Sequence, residues 1–215
     1  MTITPTFPLP TLIQTVRAKL ALMEHGYFVT IKPGEKKIYD YLKTCFPTVV
    51  RATFEQGKKI KGDIDHRLPL VTFGSKTWPL LFPKCMITKE FWKEDRQGVF
   101  FRGFVPTFRV EALRTWEGRA EIQRVDTGRK SIKRFWEREY FQAMGGAQFV
   151  LCPNGGWPWS YRFFEAIIVG AIPVVQSECE IYQGFHVQKW TDENLVYDLQ
   201  KAEENFELCF KRLTY

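Results

Sequence analysis

Residues 149–175 read FVLCPNGGWPWSYRFFEAIIVGAIPVV. Two short apolar runs, FVLC and IPVV, enclose a loop punctuated by Pro153, Gly155, Gly156 and Pro158. Behind the loop comes a helical stretch, 160–169, with Phe164, Ile167 and Ile168 on its core side. Strand, loop, helix and strand in that order form the repeating unit of a parallel sheet with crossover helices. Ligands of such sheets collect at the carboxyl ends of the strands, where CPNGGWPWS falls.

The alternation continues outward. GVFFRGF (98–104) reads as a strand, FRVEALRTWEG (108–118) as a helix stopped by Gly118, and AEIQRVDT (120–127) as a strand. RKSIKRFWEREYFQAMGG (129–146) predicts a helix ended by two glycines, followed by strands at 147–152 and 172–176. Residues 192–213 predict one long helix. In the first part of the chain, helices are expected at 11–24 and 35–46, strands at 27–32, 48–54 and 69–74, and a polar loop at 55–67. These elements divide into two lobes, 1–95 and 96–190, with the helix of 191–215 packing back across them.

With 45% hydrophobic and 26% charged residues over 215 positions, the composition is globular and excludes a disordered chain. The longest apolar run, 167–175, contains Gly170 and Pro173 and is too short to cross a bilayer. Three prolines and no basic start in residues 1–10 give no sign of a secretory leader. Cys45, Cys85, Cys152, Cys179 and Cys209 are widely spaced, which predicts neither a disulfide framework nor a structural zinc site and points to a cytoplasmic setting. Eleven Arg and Lys against five acids make 96–138 carry +6 of the formal +7 charge. A phosphate-bearing ligand fits that excess, as does a single-stranded nucleic acid.

The loop offers specific chemistry. Asn154, Gly155 and Gly156 are residue types that reach positive φ, which lets backbone N–H groups face a ligand closely. Ser160 is placed to cap a helix whose amino end attracts an anion. Arg162 follows in the first turn, with a planar fork suited to a diphosphate. Glu165, one turn on, is a carboxylate that can accept from two vicinal hydroxyls, as on a ribose, at about 1.5–3 kcal/mol per charge-assisted bond. The alternative is a surface Arg162–Glu165 pair worth about 0.2–0.5 kcal/mol.

The stretch YFQAMGGAQFVLCPNGGWPWSYRFFEAIIVGAIPVV resembles the signature of exostosin-like glycosyltransferases, F-x-L-x-P-x-G leading to S-x-R-x-x-E-A-I and G-x-I-P-V. A longer-range likeness, LPLVTFGSKT followed by FFRGFVPTFR, is to the protein O-glucosyltransferase and capsule-associated transferase group. Both resemblances imply an α/β GT-B fold of two Rossmann-like lobes, here with the first, acceptor-side lobe (1–95) reduced and a nucleotide-sugar donor lobe at 96–190. They also imply transfer of a sugar from a nucleotide donor, UDP-linked, to a glycan hydroxyl on a glycan or glycoprotein. Ser160 and Arg162 would then bind the diphosphate and Glu165 the ribose, with Arg102, Arg109 and Lys76 adding phosphate charge. Arginine and helix dipole in place of a metal predict no required cofactor, although Mn or Mg is compatible with the fold. Trp157 stands where some retaining enzymes of this fold carry a second glutamate, which favours inversion.

Asp63-Ile64-Asp65 has the form of a metal-binding D-x-D motif but follows the polar KKIKG, and reads as a solvated loop. Asp63, Asp65 and His66 remain candidates for the general base on the acceptor hydroxyl. His25 and His186 stand without sequence partners, and Cys152 reads as a buried small hydrophobe. Trp157 and Trp159 suit either stacking or core, and Glu178 and Glu180 either a sugar or solvent. The chain is thus expected to be an inverting, metal-independent glycosyltransferase of the cytoplasm of a microbial or virus-infected cell. The alternatives are a basic single-stranded nucleic-acid-binding module and a glycan-binding remnant without catalysis.

Overall fold

Apolar runs alternating with amphipathic helices assemble into a parallel sheet in the computed structural model. It describes residues 16, 17, 19–21, 24, 31–45, 70–73, 76–79, 82–125, 136–155 and 158–214. The chain divides into two compact units. One comprises Met1–Ile87, Ile132–Trp136 and Phe210–Tyr215, and the other Thr88–Ser131 and Glu137–Cys209.

In the first unit, residues 16, 17, 19–21 and 24 are helical, and α1 (Lys36–Cys45) buries Ile38, Tyr39 and Leu42. Glu35 is buried just ahead of α1 and accepts from Lys19 Nζ at 2.6 Å and from the Lys32 amide at 2.8 Å. Strands β1 (Leu70–Phe73) and β2 (Lys76–Pro79) pair antiparallel, with Phe73 opposite Lys76. The expectation of a parallel sheet here is therefore corrected among the described residues: with only two residues between the runs, the chain must reverse rather than cross over. Residues 31 and 32 lie outside any strand, against the expected strand 27–32; its other positions, and the whole of 48–67, lie outside the described residues.

The second unit is a five-stranded sheet of order β4-β3-β5-β6-β7, parallel throughout: β3 (Val99–Gly103), β4 (Glu121–Arg124), β5 (Phe149–Cys152), β6 (Ile172–Val175) and β7 (Gln188–Lys189). Every residue of β5 and β6 is buried, as expected of central parallel strands whose sequences are continuous apolar runs. The edge strand β4 is the exposed one. The core joins Phe101, Leu113, Trp116, Phe149, Leu151, Ile172, Val174 and Ala202. From β3 the chain steps to β4 on one side, then returns to β5 on the other. The order reverses at the β3–β5 seam, and that is the crevice where such sheets hold ligands.

The helices are α2 (Thr107–Arg114), α3 (Arg138–Gly145), α4 (Tyr161–Ile168) and α5 (Leu199–Leu213). Three start or stop well inside their predicted limits: α2 ends at Arg114 rather than before Gly118, and α3 and α5 begin late. Among the described residues, α3 starts only at Arg138, because Glu137 takes extended angles (φ −94°, ψ 102°). The start of α5 is set by Asp198, whose Oδ1 accepts from the amides of Gln200 at 2.9 Å and Lys201 at 3.3 Å. Residues 192–197 thus lie outside the helix. His186, expected to lack a partner, has two. Its ring nitrogen lies 2.7 Å from Glu204, and its backbone exchanges hydrogen bonds with the Asn205 amide at 2.7 and 2.8 Å. No described helix is long and apolar enough to cross a membrane.

Candidate functional site

The carboxyl ends of β3 and β5 carry Arg102, Gly103, Pro153 and Asn154, and α4 begins a few residues later at Tyr161. An aromatic anchor fixes that helix start. The Phe163 ring stacks on Tyr182 at 3.8 Å and 14°, and the Tyr182 hydroxyl accepts the Ser160 amide at 2.8 Å. Ser160 takes the extended N-cap conformation, but its side chain does not cap the helix; the buried Oγ lies beside the Tyr182 hydroxyl. The amino end of α4 is left to another hydrogen-bonding partner.

Arg162 is the most constrained cation of the site. Its guanidinium carbon sits 4.4 Å from the Phe101 ring centroid, and Nη2 donates to the Arg102 carbonyl at 3.0 Å. Gly103 makes this possible, since a Cβ at that position would fall on Arg162 Nη2. Arg162 Nε is buried with no hydrogen-bond partner among the described residues. A buried, unpaired guanidinium N–H is costly unless something fills it, and a donor of this kind takes an anion. Arg162 thus crosses to β3 and lies flat on an aromatic ring, as a solvated surface pair would not require.

Asn154 ties the loop after β5 to the turn after β6 and to the first turn of α2. Its amide donates to Gln176 Oε1 at 3.1 Å, its carbonyl accepts from Arg109 Nε at 2.8 Å, and its Nδ2 donates to Ser177 Oγ at 2.7 Å. Neither Asn154 nor Gly155 takes a positive φ, against the expectation for these two positions; Gly156 lies outside the described residues. The Asn154 N–H is spent on Gln176, and the clamp from both sides fixes the backbone. Arg109 also donates to the Phe104 carbonyl at 3.2 Å. Arg102 forms an ion pair with Glu137 at 2.9 Å, both side chains about a quarter exposed.

Glu165 lies one turn into α4 and accepts from the Tyr140 hydroxyl at 3.2 Å. Burial first, and then the Glu165 charge, raise the Tyr140 phenol above its ordinary pKa, while Arg162 opposes them. Cys152 is buried below, and its thiol is pushed up to about 12, so it is no nucleophile. Trp159 is buried against Tyr161 at 5.2 Å and belongs to the core. Glu178 and Glu180 face solvent.

The structure therefore brings together Arg102, Arg109, Asn154, Gly155, Ser160, Arg162 and Glu165 on one unit. Lys76 lies on β2 of the other unit. Gly156, Trp157, Asp63, Asp65, His66 and His25 lie outside the described residues. Gly103, Glu137, Tyr140, Gln176 and Ser177 escaped the sequence reading. Gly103 had a visible signal, following Arg102 in FFRGF; Tyr140 had none beyond helical spacing. Of the basic stretch, Arg102, Arg114, Arg124 and Arg138 pair with Glu137, Glu111, Glu117 and Glu90, while Arg119 lies over Trp116. These pairings orient four arginines without cancelling the +6, which already counts Glu111, Glu117 and Glu137; only Glu90 is an acid from outside the stretch.

No protein-family model matches the chain. Part of it is similar to curated plant glycosyltransferases. A probable beta-1,4-xylosyltransferase, IRX10L of Arabidopsis thaliana, is 37% identical over 59 residues, 27% of this chain and 14% of that protein. A probable glucuronosyltransferase, GUT1 of Oryza sativa subsp. japonica, is 46% identical over 39 residues, 18% of this chain and 9% of that protein. Arabidopsis thaliana IRX10, another probable beta-1,4-xylosyltransferase, gives 46% over 39 residues, 18% of this chain and 10% of that protein. The matched segments span about a seventh or less of the length of these relatives.

Proposed function

We propose that this chain is a glycosyltransferase of the exostosin-like kind, and that the β3–β5 crevice holds the nucleoside diphosphate of its sugar donor. The observation that carries this reading is Arg162. It is fixed on Phe101 and the Arg102 carbonyl, and presents a buried, unpartnered Nε beside the amino end of α4. An immobilised cation and a helix start together suit a diphosphate, which bears two charges in a small space. Glu165, held by Tyr140, takes the ribose hydroxyls. Arg109 lies in the same crevice, and Arg102 exchanges Glu137 for phosphate.

In the transfer itself, an acceptor hydroxyl oxygen forms a bond to the anomeric carbon as that carbon's bond to the diphosphate oxygen breaks. The electron pair leaves with the nucleoside diphosphate, and the hydroxyl proton passes to a base. Arg162 and the α4 dipole stabilise the charge that grows on the leaving phosphate, with no reorganisation, because both are already fixed. Attack from the opposite face inverts the anomeric carbon. The base is sought among Asp63, Asp65 and His66. The partial similarity to proteins named as xylosyl- and glucuronosyltransferases supports a pentose or uronic acid as the transferred sugar; UDP as its carrier is part of the proposal.

Calorimetry with UDP, GDP, ADP and CMP, in EDTA, tests the reading. UDP is expected to bind, with Arg162→Ala and Glu165→Ala each weakening it by about tenfold or more. Binding that requires Mn would overturn metal independence, and absence of binding by all four nucleotides would overturn the donor site. Affinity for an oligonucleotide that falls steeply with salt would return the chain to the nucleic-acid class.

A further inference from the structure

Arg162 and Glu165 come from one helix, α4, yet the group that interacts with both comes from another. Tyr140 lies in the first turn of α3, and its hydroxyl donates to Glu165 Oε2 at 3.2 Å. The Arg162 charge acts on the same phenol, opposing the rise in its pKa. Tyr140 is held in turn by its neighbour Phe141, which is buried and packs on Phe91 with ring centroids 5.7 Å apart. A phenol fits this place because its hydroxyl donates to a carboxylate. The terminal torsion of a glutamate is intrinsically broad, and the bond from Tyr140 narrows it.

We propose that Tyr140 is a positioning residue that fixes the Glu165 carboxylate, and through it gives the crevice its preference for a ribose over a 2′-deoxyribose. This rests on the reading of the crevice as a nucleotide site. The carboxylate recognises a diol only if it points at both hydroxyls. The bond from Tyr140 holds one oxygen of Glu165 and so sets the direction of the whole group. The phenol remains protonated throughout the neutral range, since burial raises its pKa, so it keeps its donor there.

The experiment compares UDP with 2′-deoxy-UDP by calorimetry on the full chain. Wild type is expected to prefer UDP by about tenfold or more. Tyr140→Phe keeps the ring and its packing. It should weaken UDP by about tenfold while changing 2′-deoxy-UDP by less than about twofold, so that the preference collapses. In a Glu165→Gln background the same substitution should have no further effect on the preference. A merely structural tyrosine would weaken both ligands alike. Tyr140→His, which keeps a ring donor, is the second variant; it should retain more of the ribose preference than Tyr140→Phe. An unchanged preference in Tyr140→Phe, or an equal loss of preference in Tyr140→Phe and Tyr140→His, overturns the proposal while leaving the nucleotide site standing. A wild type that binds neither ligand overturns the nucleotide reading itself, and this inference with it.

Discussion

At the scale of single residues, the site depends on how closely a side chain can approach a backbone. Arg162 lies across β3 where Gly103 has no Cβ, and its guanidinium occupies the space that any other residue there would claim. Gly103→Ala should therefore leave the sheet folded, since Gly103 is not at positive φ, but push Arg162 off Phe101. The expected result is about a tenfold loss of UDP affinity with an unchanged melting temperature, read by calorimetry and thermal unfolding. Unchanged affinity would mean that the seat of Arg162 on β3 is irrelevant to binding. The residue types of the site were visible in the sequence, because S-x-R-x-x-E sets Arg162 and Glu165 one turn apart. Their directions were not. Helical spacing cannot say that Arg162 turns back to β3, nor that a tyrosine from another helix, 25 residues away, meets Glu165.

At the scale of elements, the turn from α4 into β6 is the most exacting joint. Gly170 sits at φ +78°, and a Cβ there would lie 2.6 Å from Trp92 Cε2 and 2.7 Å from Arg96 Nη2. Those two side chains close the carboxyl end of α4. The Trp92 indole donates to the Ile168 carbonyl at 3.0 Å, and the cation of Arg96 complements the helix dipole. Gly170→Ala combines backbone strain with a clash against a large ring. It should cost about 2–4 kcal/mol, seen as a melting temperature lower by roughly 4–12 °C. A wild-type melting curve would show that Trp92 moves aside freely. The elements around this joint, β5, α4 and β6, match their sequence expectation within about two residues at each end. Apolar runs and loop punctuation both mark their limits. Where a run of good helix formers crosses a bend, as at 136–137, propensity has nothing to register the extended Glu137, and the helix does not continue through it. The β1–β2 hairpin was likewise half seen: the strand at 69–74 was legible, but its antiparallel partner was hidden in a short polar run.

At the scale of the whole molecule, the buried thiols and phenols govern how the fold responds to alkali. Burial raises Cys152 from 9.0 to about 12; Arg162 opposes the shift, Glu165 adds to it, and Arg109 again opposes. Cys209, Cys85 and Tyr182 are all raised, chiefly by burial. A group that ionises later in the folded chain than in the unfolded one stabilises the fold fully below its unfolded pKa. That contribution is lost as pH rises through the folded value. For Cys152 the window runs from 9.0 to about 12. By about pH 10.5 this one thiol should remove about 2 kcal/mol, and the others act in the same direction. Urea midpoints measured between neutrality and that pH should fall steadily once pH 9 is passed; a flat profile would show that these groups are not buried.

The triple tie at Asn154 has a mechanical consequence. The first turn of α2 and the turns after β5 and β6 meet at one side chain and its own peptide groups, through Arg109, Gln176 and Ser177. None of the three can swing outward alone without breaking a bond at that knot. The rim of the crevice should breathe as a single hinged body, and a change of length in any one turn would be felt across all three.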